Sequence, residues 1–116
     1  MKGFFQFGNP IIMLLVGKKN LKILLDTGFN GELMIPQKII DELHLEQIGI
    51  SDYVTASGEA EETKVYKCSI DFFDGKKEVA VLGTQASFAL AGMELFHECE
   101  ILIERHKNRV EIRKTG

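Results

Sequence analysis

The sequence has little of what stabilises small exported proteins or spans membranes. Cysteine occurs only twice, at Cys68 and Cys99, which is too few for a disulfide framework. The longest aliphatic run, residues 11–16, is far shorter than a transmembrane helix requires. Gln6 and Asn9 interrupt the N-terminal apolar residues, so no signal peptide is indicated. We therefore expect a cytoplasmic protein with two reduced, buried cysteines and no membrane partner.

Positive charge is also scarce. The 14 lysines and arginines are outnumbered by 17 acidic residues, and the formal net charge is −3, so we expect no nucleic-acid partner. The basic residues between positions 105 and 114 form a local cluster, which fits a solvated hairpin better than a phosphate site. His97 and Cys99 could share one face of a strand, but two potential ligands do not define a metal site. We expect no bound metal.

What remains is an ordinary globular composition. Of the 116 residues, 45% are hydrophobic and 27% are charged, which is typical of a folded chain rather than a disordered one. A chain of this length can bury roughly two-thirds of its unfolded surface in one core, so we expect a single domain over residues 1–116. Many short strand-like segments with little helix predict an all-β, barrel-like fold.

Strand and turn signals divide the chain. Residues 1–16 predict an N-terminal strand, and the polar turn at residues 17–20 joins it to a strand at residues 21–25 as a hairpin. Pro36 begins a short predicted helix, because proline is tolerated in a first helical turn. Asp74-Gly75 predicts a two-residue hairpin turn. The remaining predicted elements are a strand at residues 89–91, a helical turn at residues 93–96 and strands at residues 100–104 and 109–113.

A long hairpin is predicted in the middle of the chain. A strand from Tyr53 leads into a turn at Ser57-Gly58, and residues 65–70 return as a strand whose side chains at Tyr66, Cys68 and Ile70 share one face. Several acidic residues follow the turn. From this segment alone, an ordinary surface hairpin is the preferred interpretation.

The stretch over residues 24–31, LLDTGFNG, is the one around which the chain is organised. An apolar strand ends on an acid, a hydroxyl and a glycine, and a second glycine precedes the next apolar segment. An isolated Asp26 in such a loop could simply initiate a turn. A carboxylate at the mouth of a core is costly, however, unless it is hydrogen-bonded, paired or used.

Two motifs together resemble those of a known family. The extended loop motif from Asp26 to Gly31, followed by the apolar residues 33–36, resembles the active-site loop of the single-domain, retropepsin-like aspartic proteases of prokaryotes. Residues 90–96, LAGMELF, are similar to the apolar-apolar-Gly strand and short helix of that family. The resemblance runs from about residue 14 to the C-terminus and implies a retropepsin-like closed β-barrel, the acid protease fold, with one or two short helices.

The resemblance also implies an activity. Family members are aspartic endopeptidases, and their catalytic motif corresponds to Asp26, Thr27 and Gly28. Peptide hydrolysis of this kind needs a general base for water and a general acid for the departing group. Two carboxylates that share one proton can supply both. The chain has a single Asp-Thr-Gly, so the second carboxylate must come from a homodimer that acts on a peptide or protein substrate. No metal or organic cofactor is implied, because the nucleophile is water.

Further residues acquire roles from the same resemblance. The segment around Ser57 corresponds to the flap that closes over bound peptide, and Gly31 and Gly92 would support the active-site loop. Phe29 and Met93 depart from the small residue and the arginine of viral members, so we expect a reshaped pocket and no arginine-based support of the loop at Met93. The implied substrate-binding residues are Phe29, Asn30, Thr55, Ala56, Ser57, Gly58 and Leu90.

Two other functions remain open. A domain of the same fold that has lost activity could serve as a dimerisation or peptide-binding module. A small-molecule-binding β-barrel would require neither a dimer nor Asp26. The intact Asp26-Thr27-Gly28 favours the enzyme, because a scaffold has no need of that acid.

Overall fold

The computed structural model describes residues 1–54 and 57–115. Strands dominate this part of the chain, which confirms the all-β class expected from the sequence. The strands are β1 (Lys2–Gln6), β2 (Asn9–Val16), β3 (Lys19–Leu25), β4 (Leu33–Pro36), β5 (Glu46–Val54), β6 (Ala60–Phe72), β7 (Gly75–Thr84), β8 (Ala89–Ala91), β9 (Cys99–Glu104) and β10 (Arg109–Lys114). The helical elements are α1 (Gln37–Leu43) and two short 3-10 helices, Met93–Phe96 and Arg105–Lys107.

All ten strands join one curled sheet in the order β5-β6-β7-β4-β8-β3-β2-β1-β10-β9. The sheet curls far enough for β2 to pair also with β6, through a bridge between Val16 and Ile70. The Gly17 amide donates a further hydrogen bond of 3.1 Å to the Ser69 carbonyl. The six strands that lie between these two contacts in the sheet, β6-β7-β4-β8-β3-β2, therefore curl around a shared core.

Parallel pairing positions the loop after β3. Strands β3 and β8 run parallel, with Leu25 opposite Ala91. Strand β4 is antiparallel to β8 and parallel to β7. Because parallel strands end at the same edge of a sheet, the segment that follows Leu25 and the segment that follows Ala91 lie side by side. The two motifs that the sequence singled out therefore come together.

The core lies inside the curled sheet. Alternate residues of β2 and β3 point inward, and Ile12 and Ile23 have no exposed surface. Ile40 anchors α1 to the sheet, and Leu95 anchors the 3-10 helix that follows β8. Each such side chain stabilises the fold by roughly 1.5–3 kcal/mol through removal of apolar surface from water.

Two parts of the predicted strand pattern are wrong in detail. The N-terminal segment is two strands rather than one, because Phe7 and Gly8 form a tight turn with φ of 51° and 79°. Phenylalanine rarely adopts positive φ, so the sequence gives little sign of this turn. The turn between β6 and β7 lies at Phe73-Asp74 rather than Asp74-Gly75, and Phe73 has a φ of 55°.

The second of these errors has a simple origin. Cys68 pairs with Val79 in the structure, whereas the predicted turn would pair Cys68 with Val81. Moving the turn by one residue shifts the pairing by two, so the same side chains point inward in both registers. The burial pattern therefore could not distinguish them. Strand β5 is also longer than predicted, since it begins at Glu46 rather than at Tyr53.

The two cysteines and the basic hairpin were both subjects of a prediction from the sequence. Cys68 is buried, but Cys99 is only partly buried, so the prediction that both are buried is half right. Burial raises the pKa of both thiols. On the β9–β10 hairpin, Arg113 and Arg109 donate hydrogen bonds to Glu111 at 3.1 Å and 2.6 Å and hold its pKa at about 2. This cluster is thus paired within its own hairpin.

Within residues 1–54 and 57–115, no three His, Cys, Asp or Glu side chains come together in an arrangement that could hold a metal ion. Nor is any helix there long and apolar enough to cross a membrane.

Candidate active site

The Asp26 loop is the direct continuation of β3. The Asp26 amide donates a 2.9 Å hydrogen bond to the Ala91 carbonyl, which extends the parallel pairing of β3 with β8 by one step. The chain then turns, and the Phe29 amide donates to the Asp26 carbonyl at 3.2 Å. The backbone of Asp26 is therefore held from both sides.

The Asp26 carboxyl group is fixed at one oxygen. Oδ1 accepts a 2.9 Å hydrogen bond from the Gly28 amide, and the side chain is only partly buried. A Cβ at Gly28 would lie 3.3 Å from Oδ1, closer than most real contacts of this kind. Within the described residues, Asp26 takes part in no ion pair. Its carboxylate is therefore positioned and still accessible, as a group that handles protons must be.

The segment after β8 holds the loop through three main-chain hydrogen bonds. The Gly92 amide donates to the Glu32 carbonyl at 2.9 Å, the Met93 amide donates to the Phe29 carbonyl at 2.8 Å, and the Glu94 amide donates to the Gly31 carbonyl at 3.2 Å. Met93 stands where viral members of the resembled family have arginine, and here it contributes its main-chain amide. The loop is thus attached by backbone groups, and these donors are kept by any substitution other than proline.

Phe29 fills the space beside two glycines. A Cβ at Gly31 would lie 2.6 Å from Cζ of the Phe29 ring, and a Cβ at Gly92 would lie 2.6 Å from its Cδ2. The Gly92 Cβ would also lie 2.5 Å from the Phe29 carbonyl oxygen. The ring therefore packs over both glycines, and neither position has room for a side chain. This contact explains why both glycines border the loop.

Glu32 makes a polar contact that the sequence did not predict. Its Oε1 accepts a 2.9 Å hydrogen bond from the Ala80 amide of β7, while its carbonyl accepts from Gly92. A lone acid next to an apolar strand was the only signal in the sequence. The partner lies 48 positions away, so only the fold reveals the contact.

A groove of about 590 Å³ opens between this loop and the β5–β6 hairpin. Residues 28–32 form one wall, and Ala80 and Leu82 of β7 also line it. Ser51, Asp52 and Val54 of β5 and Val65 of β6 form the opposite wall. An open, partly apolar channel beside a carboxylate has the shape that an extended peptide needs.

The structure brings some of the predicted site residues together and leaves others apart. Phe29 and Asn30 line the groove, and Thr27 is exposed beside Asp26. Ser57 and Gly58 form the turn of the hairpin, and Gly58 has a φ of 85°. Leu90 lies in β8, half-buried between Leu24 and Met34, and it does not line this groove. The predictions for Thr55 and Ala56 fall outside the described residues.

With this geometry established, comparison with solved structures defines the class of fold. The chain has the fold of the retropepsin-like aspartic proteases. It is similar to a retropepsin-like aspartic protease from Rickettsia conorii, with 18% identity, 98% of this chain and 88% of that chain covered, and a TM-score of 0.72.

Two further structures are similar at lower scores. They are EIAV protease complexed with the inhibitor HBY-793 (17% identity, 77% of this chain and 86% of that chain, TM-score 0.63) and the retroviral protease-like domain of Ddi1 from Leishmania major (9%, 96% and 98%, TM-score 0.57). No protein-family model matches the sequence, and no curated protein matches it. At these identities the likeness is one of fold.

Proposed function

We propose that this protein is an aspartic-type endopeptidase that acts as a homodimer, with Asp26 from each subunit forming the catalytic pair. The observation that carries the proposal is the Asp26 carboxylate at the end of β3, which is fixed at one oxygen by the Gly28 amide and only partly buried. The groove begins at Gly28, two residues further along the loop. The retropepsin fold of the chain supports it.

The need for a second subunit follows from the chemistry. One carboxylate cannot act as base and acid in the same step. The sequence contains one Asp-Thr-Gly, and the Glu32 carboxyl group is already bonded to the Ala80 amide. A two-fold axis beside the exposed Thr27 would bring a second Asp26 next to the first. At about 3 Å the two carboxyl groups cannot both ionise cheaply, so they share one proton.

The shared proton gives each carboxyl group a task. The ionised Asp26 takes a proton from water as the water oxygen bonds to the peptide carbonyl carbon. The protonated Asp26 gives its proton to the carbonyl oxygen. When the C–N bond breaks, the departing nitrogen takes the proton that the first Asp26 took from water and leaves as an amine. A hydroxyl group of the tetrahedral intermediate returns its proton to the other Asp26 as the carboxylic acid forms, so the pair again holds one proton.

The other residues acquire roles around this step. Gly28 fixes Oδ1 of Asp26, Thr27 contributes its hydroxyl at the dimer contact, and Gly31 and Gly92 support the loop. Phe29 and Asn30 form one wall of the peptide groove. The opposite side of the site would belong to the hairpin, with Ser57 and Gly58 as substrate-binding residues. We propose the same role for Thr55, Ala56 and Leu90.

The test is cleavage of a diverse peptide pool between about pH 4 and pH 7 by the wild type and Asp26→Asn, with Asp74→Asn as the control. Asparagine keeps the size of the side chain but cannot exchange a proton, so we expect Asp26→Asn to abolish cleavage. Asp74 lies in the β6–β7 turn, and its substitution should leave cleavage unchanged. Cleavage that survives in Asp26→Asn would remove Asp26 from its role.

Subunit mixing tests the shared site separately. After subunit exchange between equal amounts of wild type and Asp26→Asn, about a quarter of the dimers carry two aspartates. Cleavage activity should therefore fall below one half of that of the same total amount of wild type, which is the value expected for independent subunits. Activity of one half would contradict the shared pair. A stable dimer without any cleavage would favour the binding-module alternative.

A further inference from the structure

The groove between the Asp26 loop and the β5–β6 hairpin is negatively charged. The described residues that line it include two acids, Glu32 on the loop side and Asp52 on the hairpin side, and no lysine or arginine. The remaining walls are largely apolar, with the Phe29 ring and the side chains of Val65 and Leu82 among them. The groove is therefore an apolar channel with negative charge on both sides.

Neither carboxylate is neutralised by the protein. Among residues 1–54 and 57–115, neither Glu32 nor Asp52 takes part in an ion pair. Only one oxygen of Glu32 has a partner, the Ala80 amide at 2.9 Å. By contrast, Glu42 pairs with Lys19 at 2.8 Å on the open surface. Within the described residues, the two carboxylates therefore have no cationic partner from the protein.

The neighbouring hairpin adds Glu62, and even with Lys64 on the same face the net charge there is negative. Asp52 lies directly opposite Glu62 in the β5–β6 pairing, so the two acids share one face of the hairpin. Like charges on facing strands repel each other, and a bound cation would relieve that repulsion. The hairpin side of the groove is therefore suited to a positive group.

We propose that this groove binds a lysine or arginine side chain of the substrate, so that the enzyme prefers peptides with a basic residue near the cleaved bond. The inference depends on the peptidase function proposed above. The aliphatic stem of such a side chain packs on Phe29 and on Val54, which lies on the same face of β5 as Asp52, and its charged head reaches Asp52 and Glu32. Norleucine has the stem of lysine without its charge, so it isolates the contribution of the two carboxylates.

The experiment uses one set of octapeptides, each with lysine, norleucine or glutamate at a single scanned position. Binding is measured by fluorescence anisotropy on Asp26→Asn, which cannot cleave, and kcat/KM is measured on the wild type. At one position we expect lysine to exceed norleucine by about fivefold or more in both measurements, with glutamate weakest.

Variants then assign the preference to the groove. Asp52→Asn should reduce the lysine-to-norleucine ratio towards one, and Glu32→Gln should reduce it in the same direction, because glutamine can still accept the Ala80 hydrogen bond but carries no charge. Asp74→Asn removes a carboxylate from the distant β6–β7 turn and should leave the ratio unchanged. A ratio near one at every position, or a ratio that Asp52→Asn does not alter, would overturn the proposal.

The two measurements separate this inference from the peptidase function. Lysine-selective binding that needs Asp52, without any cleavage, would support the basic subsite and refute the peptidase. Cleavage without lysine preference would support the peptidase and refute the subsite. Failure of both measurements would overturn both.

Discussion

The two walls of the groove differ in how they are held. The loop wall, residues 28–32, is attached to the segment after β8 by three main-chain hydrogen bonds and by a ring packed over two glycines. The hairpin wall presents large apolar side chains to solvent, with Ile50 62% exposed and Val54 71% exposed. One wall is built into the core of the fold, and the other extends from it.

This difference matches two different demands on a site. A carboxylate that exchanges protons with its mate must be held within a fraction of an ångström, so it belongs on the rigid wall. A wall that covers a peptide must admit and release it, and segments with few buried contacts open most easily. On the proposed function, the loop therefore sets the chemistry, and the hairpin sets which peptides bind.

The largest expected effect comes from filling the space at Gly92. Gly92→Ala places a Cβ 2.5 Å from the Phe29 carbonyl oxygen, so the loop or β8 must shift. We expect the free energy of unfolding to fall by about 3 kcal/mol, measured by urea denaturation, and peptide cleavage to be lost. Gly75→Ala is the control, because nothing lies within 4 Å of its new Cβ. Equal losses in the two variants would contradict the close packing at the loop wall.

An intermediate effect is expected from Phe29→Ala. The partly buried ring packs over Gly31 and Gly92, and its removal should lower the free energy of unfolding by about 1–2 kcal/mol. Amide hydrogen exchange at Met93 and Glu94 should become faster, because their acceptors lie in the loop. Phe7→Ala is the matched control, since Phe7 is 93% exposed and its loss should cost little. Unchanged exchange at both amides would show that Phe29 does not hold the loop.

The smallest expected effect belongs to the hairpin. Val54→Ala removes a side chain that is 71% exposed, so the free energy of unfolding should change by no more than about 0.5 kcal/mol. The same substitution at Val81, which has no exposed surface, should cost about 2 kcal/mol. Chemical denaturation of the two variants measures the contrast directly. A similar cost at both positions would mean that the hairpin is packed as firmly as the core.

Much of the loop wall could be predicted from the sequence, because its signals are local. The apolar run before Asp26 predicted the buried strand, and Gly28 and Gly31 predicted a tight loop after it. The short strand at residues 89–91 and the helical turn at residues 93–96 both match the structure. Each of these depends on a few consecutive residues whose conformational preferences agree.

Two turns and one strand register could not be predicted from the sequence, for physical reasons. The Phe7 and Phe73 turns need positive φ at phenylalanine, which local preference argues against. The β6–β7 register was ambiguous because both alternatives bury the same side chains. The roles assigned to Thr55 and Ala56 remain predictions.

The sequence by itself determined most of the strand pattern, the all-β class and the acid on which the proposed function depends, because hydrophobic periodicity and glycine placement act over a few residues. Only the tertiary structure decided what surrounds that acid. Parallel pairing of β3 with β8 placed Gly92 beneath the loop, and the curl of the sheet brought Ala80 to Glu32 and the hairpin across from Phe29. These contacts join residues far apart in the chain, and their geometry depends on how the whole sheet curls.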